Sequence, residues 1–186
     1  MEHILIPKDI AKDEPCIRCL LPTKVNKQKI HPDAVLPRES KTDASVLREK
    51  YTTIERCIEH GKSIDPQTHG LAGLLRFSQA IVDKVNEWAQ TQEAEVENIE
   101  THEKEVSGVK AHLEYSPMKD TETYADKNVD YYTDSTDLQL PMHADLMYEE
   151  PLEKGFVRIK MRMYGSRLIR CSQKAFMNSE VLGEWD

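Results

Sequence analysis

An α+β fold is predicted for this chain of 186 residues, and three observations carry the prediction. Two short cysteine-bearing pairs bracket an N-terminal third punctuated by prolines. Apolar residues recur at helical spacing through the middle of the chain. Near the C-terminus, apolar and basic residues alternate strictly, as in a half-buried strand. The expected architecture is a zinc-stapled N-terminal unit over residues 1–65, a long amphipathic helix over 66–115, and an acidic linker leading into a basic antiparallel β-hairpin over 116–186.

Residues 1–15 read as an irregular arm. Over 16–40, Pro22, Pro32 and Pro37 leave room only for short β-type pieces. Asp43 is a good N-cap for a helix over 44–60, in which Val46, Leu47, Tyr51, Ile54 and Ile58 share a face and Gly61 ends the helix. Pro66 and Gly70 mark a connector. A long helix is expected over 71–114, where two heptad series run: Ile81, Trp88, Glu95, His102, Val109 and Val85, Gln92, Ile99, Val106, Leu113. One reading is a coiled coil, pairing residues 78–114 with a protein partner or a second copy. The other is one amphipathic helix packed on its own domain, favoured by the polar Gln92, Glu95 and His102 in the seam.

Residues 114–150 carry ten acids against Lys119 and Lys127, whereas 154–174 carry seven basic residues and no acid. In the strand expected over 156–164, Val157, Ile159, Met161 and Met163 line one face and Arg158, Lys160 and Arg162 the other. A turn at Tyr164-Gly165-Ser166 leads to a second strand over 168–172. The basic hairpin is either a phosphate-contacting surface or a solvated face that pairs with the acidic stretch.

The net charge of −8 does not exclude nucleic acid, because the charge is so unevenly spread. No apolar run approaches the roughly 20 residues a membrane span requires. The start of the chain lacks the pattern of a signal peptide, which predicts a cytoplasmic protein with reduced cysteines.

Reduced cysteines favour metal over disulfides. Cys16 and Cys19 form a C-x2-C pair, and Cys57 and His60 a C-x2-H pair. Two such pairs can surround Zn²⁺ tetrahedrally, a closed structural site with no position for substrate. The alternative is that Cys57 belongs to a core stripe and Cys16 and Cys19 are free thiols. His3 and His143 have no suitably spaced partner.

Between the pairs lies Asp33-Ala34-Val35-Leu36-Pro37-Arg38, separated from Cys19 by thirteen residues, and Cys57-Ile58-Glu59-His60-Gly61-Lys62 follows. In order and spacing, residues 12–65 resemble the HNH endonucleases, whose central motif has histidine where this chain has Ala34. The resemblance implies a treble-clef-like ββα unit around one catalytic Mg²⁺ or Mn²⁺, held in part by Asp33, with the general base at position 34. A chain with alanine there is either a binding module that kept the fold or an inactive form of a nuclease. Arg38, Lys62, Arg158, Lys160, Arg162, Arg167 and Arg170 are then the candidate DNA contacts. The implied function is metal-dependent hydrolysis of DNA phosphodiesters, of the kind found in phages, mobile elements and anti-phage systems. The other function class is a zinc-stabilised adaptor that binds other chains through its helix and charged regions.

Overall fold

The computed structural model of the chain describes residues 3–68, 70–96, 109–149 and 156–186, with side chains at all of these except 93–96 and 156–159. In chain order the elements are β1 (Leu5–Ile6), β2 (Cys16–Leu20), β3 (Val25–Asn26), β4 (Lys29–Ile30), β5 (Asp43–Arg48), α1 (Ile54–Ile64), β6 (Gly73–Phe77), α2 (Gln79–Val96), β7 (Ala111–Tyr115), β8 (Tyr131–Tyr132), β9 (His143–Tyr148), α3 (Phe156–Cys171), β10 (Gln173–Asn178) and β11 (Val181–Leu182). The class is α+β. One seven-stranded sheet runs β11-β10-β6-β2-β5-β9-β7, and every neighbouring pair is antiparallel. Strands from all three expected segments enter it.

Two hydrophobic clusters sandwich the sheet. In the first, α2 and α3 bring Val82, Val85, Met161, Tyr164 and Leu168 against Cys16, Leu20, Val46, Leu75 and Leu146. In the second, Cys57 of α1 joins Ile17, Cys19, Leu47, Leu74, Tyr115 and Met142. A strand covered on both faces reads as a continuous apolar run, with no alternation to mark it. Hence β6, with Leu74 and Leu75 both fully buried, was legible only as the start of a helix.

Several expected elements differ. The helix over 44–60 divides: residues 43–48 form β5, and α1 begins only at Ile54, capped by the Thr53 hydroxyl accepting from Arg56 N–H at 3.2 Å. Gly61 does not end that helix but lies buried inside it, where an added Cβ would stand 3.2 Å from Cys19 Sγ. The expected helix over 71–114 is β6, then α2, then β7. Ile81, Val85 and Trp88 of the heptad series pack in the chain's own first cluster, and Leu113 is a strand residue. Ile99, His102 and Val106 fall outside the described residues, as does the side chain of Glu95. The basic hairpin is replaced by α3. Met161, Tyr164, Gly165, Leu168 and Ile169 are its buried stripe, at the i, i+3, i+4, i+7, i+8 spacing of a helix. Gly165 is required there, because a Cβ would stand 2.8 Å from the Pro32 carbonyl oxygen.

Side chains close the sheet's β7 edge. Asn86 of α2 accepts from Ala111 N–H at 3.0 Å and donates to Ala111 O at 2.9 Å, and Gln79 accepts from Leu113 N–H at 2.6 Å. Strand edges otherwise invite pairing with other chains. At the opposite edge residues 181–186 run along β10, with Gly183 N–H donating to Phe176 O and Asp186 exchanging hydrogen bonds with Lys174.

Arg48, fully buried, fastens the N-terminal arm. It donates to Glu14 through Nε and Nη2 and to the carbonyls of Pro7 and Asp9, with its guanidinium 4.7 Å from the Tyr51 ring centroid. Removing one partner of such a pair strands the other charge. Arg48→Met should therefore lower stability by about 3–5 kcal/mol in urea unfolding. Arg48→Met combined with Glu14→Leu should recover a measurable part of that loss.

Candidate functional site

The sheet divides at β2. This strand pairs with β5 only at Cys16↔Arg48 and Ile17↔Leu47, while β5 continues against β9 from Leu47↔His143 to Asp43↔Met147. Past Ile17 the two strands part, and Arg18 spans the gap. Its Nε donates to Ala34 O at 2.9 Å and its Nη1 to Ser45 O at 2.7 Å. The parting opens a cleft of about 830 Å³, within the range of small-molecule sites. Its lining includes Arg18, Arg38, His60, Tyr124 and His143.

Charge within the cleft is controlled by burial. Arg18 has its pKa lowered by burial, and among the described residues it forms no ion pair with a carboxylate. Burial, then the charges of His143 and Arg18, bring His60 from 6.5 down to about 4, so its imidazole is neutral near pH 7. His143 and Asp145 share one face of β9 and are almost wholly buried, their side chains 1% and 4% exposed. Burial pushes His143 down and Asp145 up, each toward its neutral form. Tyr124 lies with its ring centroid 6.1 Å from that of His143, and its hydroxyl is raised by burial and by Asp145 and Asp43.

The expected zinc ligands do not meet around one ion. Cys16 and Cys19 lie three residues apart on a strand, so their side chains leave opposite faces. Cys16 packs in the first cluster, and Cys19 packs with Cys57 in the second, its Sγ 3.5 Å from Cys57 O. Among the described residues, no three or more His, Cys, Asp and Glu side chains are grouped to hold a metal ion. Burial raises the thiols of Cys16, Cys19 and Cys57 to about 12, 11 and 12.

Of the residues the sequence singled out, Cys19, Asp33, Arg38 and His60 line the cleft. Asp33 belongs to a 3-10 turn over Pro32–Ala34 and meets Arg162 Nε at 3.1 Å. Burial raises its carboxyl, but the hydrogen bond and charge of Arg162, with His31 and Lys24, outweigh that and hold it low. Ala34 is 3% exposed and belongs to the first cluster, so a histidine there would have to enter a closed core. Lys62 pairs with Glu180 at 2.8 Å, and Arg167 lies over the Trp88 ring at 5.3 Å. Arg158, Lys160, Arg162, Arg167 and Arg170 share α3 rather than one face of a strand, and the side chain of Arg158 lies outside the described residues.

Arg18, Tyr124 and Asp145 were missed, and His143 was set aside as lacking a spaced partner. The one available signal was His143-Ala144-Asp145, two polar residues at strand spacing in an otherwise apolar segment. The sequence matches no protein family, and no curated protein or solved structure matches it either. No helix among the described residues is long and apolar enough to cross a membrane.

Two outcomes follow from these environments. Native protein should show one fast-reacting thiol, the exposed Cys171, and four after unfolding in a thiol-titration assay. Between pH 6.5 and 4 the unfolded chain protonates His60 and the folded chain does not. Stability is therefore complete above 6.5 and falls as pH drops through that window. His143 acts in the same direction, and Asp145, raised by burial, in the opposite one. Thermal melts against pH should show this slope, and His60→Gln should flatten it.

Proposed function

We propose that the chain is a hydrolase of phosphate esters, with the cleft between β2 and β5 as its site. The observation that supports this reading best is Arg18, a half-buried cation anchored by two backbone carbonyls and set beside the neutral imidazole of His60. Such a cation suits the charge of a phosphoryl group as it develops, and costs no reorganisation to bring into place. His60 is the candidate acid–base group. A bound phosphate next to it favours the imidazolium form and so raises its pKa from about 4 toward neutrality, where proton transfer is most effective. Lys24, Arg38 and Lys41 also line the cleft and add attraction for an anion.

The HNH reading asks for the same reaction in the same region, with DNA as substrate, Asp33 as a ligand of a catalytic Mg²⁺ or Mn²⁺ and position 34 as the base. Its overlap with the cleft at Asp33, Arg38 and His60 supports a shared location. The geometry favours His60 over residue 34 for the acid–base role, because Ala34 is enclosed. The adaptor reading draws on the exposed Ile4, Leu5, Val129 and Tyr132.

The test is turnover of single- and double-stranded DNA, RNA and a chromogenic phosphodiester, with Mg²⁺ or Mn²⁺ present. His60→Gln should lower the rate about 10²–10⁴-fold, the usual loss on removing an acid–base group. In titrations with inorganic phosphate, the His60 imidazole should move to higher pKa by NMR. If no ester is cleaved and phosphate leaves His60 unmoved, the hydrolase reading fails and the adaptor becomes the better account.

A further inference from the structure

Two buried polar atoms stand close together beside the cleft, whose wall His143 lines. Among the described residues, His143 Nε2 and Asp145 Oδ1 are buried without a hydrogen-bond partner. They stand 3.9 Å apart, too far to bond each other. Buried polar atoms in folded proteins are almost always satisfied, so two orphans facing one another point to a ligand between them.

The tautomer of His143 narrows the chemistry. Its Nδ1 lies 2.8 Å from the Ser116 carbonyl oxygen, which can only accept, so Nδ1 carries the proton and donates. Nε2 is left with a lone pair toward Asp145. A backbone carbonyl on the far nitrogen is also how metal-bound histidines are oriented. Both facing atoms are then electron-pair donors, and what belongs between them is an electron-pair acceptor. A shared proton joins heavy atoms at about 2.6–3.0 Å, whereas two bonds of about 2.0–2.2 Å to one cation can span the observed gap. An imidazole nitrogen with a carboxylate oxygen suits a transition ion rather than calcium.

We propose that His143, which lines the cleft, and Asp145 behind it form a site for a divalent transition cation. No third protein ligand is grouped with them among the described residues, so coordination positions are left for water or another ligand, as in metal sites that act on substrate. Ser116 orients His143, and Tyr124 lies against both ligands. The site differs in place and donors from the cysteine set expected from sequence. It deepens the hydrolase reading, since His143 lines the same cleft as Arg18, but it is tested by binding alone.

The experiment titrates Co²⁺ and Mn²⁺ into the full metal-free chain without substrate, by equilibrium dialysis and thermal melts. One equivalent should bind and raise Tm, and the Mn²⁺ complex should show imidazole nitrogen coupling in pulsed EPR. Asp145→Asn and His143→Gln should each weaken binding at least tenfold, and Cys19→Ala with Cys57→Ala should leave it unchanged. If a variant does not fold, the imidazole coupling in the unaltered chain decides. The proposal is overturned if neither ion binds below millimolar concentration, if the coupling is absent, or if binding follows the cysteines rather than His143 and Asp145. Water alone between the two groups would appear as the first of these results. An absence of ester cleavage would end the hydrolase reading and leave this one standing.

Discussion

The site depends on one hydrogen-bonded guanidinium. Where β2 leaves β5 after Ile17, the inner edge of β5 loses its partner strand, and its Ser45 carbonyl would be left without a donor. Arg18 supplies that donor and at the same time fixes the turn at Ala34 on the other side. Unpaired backbone groups inside a sheet are costly, so the opening persists only because a side chain satisfies them. One residue thus reconciles a continuous seven-stranded sheet with a cleft through its middle, and leaves its own charge at that cleft.

The surrounding structure keeps the opening in register. Tyr148 donates to Val35 O at 2.8 Å and meets Tyr164 edge-on, tying the 31–36 segment to β9 and α3. Close approach of α3 at Gly165 holds the same segment from outside. Arg48 performs a related task where the strands still pair, opposite Cys16, securing the N-terminal arm through carbonyls no strand reaches. Both arginines donate to irregular backbone, Arg48 in addition to its ion pair with Glu14, a role suited to their planar, many-donor head group.

Burial sets the electrostatics of the cleft. It disfavours charge on His60, His143 and Asp145 together. Their charged forms become accessible when an ion of opposite sign arrives, which links ligand binding to protonation. The exposed charges contribute less. Pairs such as Lys127 with Glu114 are screened by solvent and decide little about the fold.

The sequence by itself determined the α+β class, the helical stretch now seen as α2, and the helical character of Ile54 and Ile58 within α1. It also pointed to residues 33–38 through their resemblance to the HNH motif, and to His60 through its C-x2-H spacing from Cys57. It could not tell a strand buried on both faces from a helix, so β5 and β6 read as helical. In α3 the alternation of Met161 and Met163 with Lys160 and Arg162 misled, since that period-2 pattern overlaid the true stripe of Met161, Tyr164, Leu168 and Ile169. The cysteine pairs looked like ligands because spacing alone does not say whether Cys16 and Cys19 sit on a turn or on a strand. Only the tertiary structure decided that they face apart. It also decided that Arg18, His60 and His143 meet, because they reach one cleft from β2, α1 and β9, elements far apart in the chain and joined only by pairing and packing.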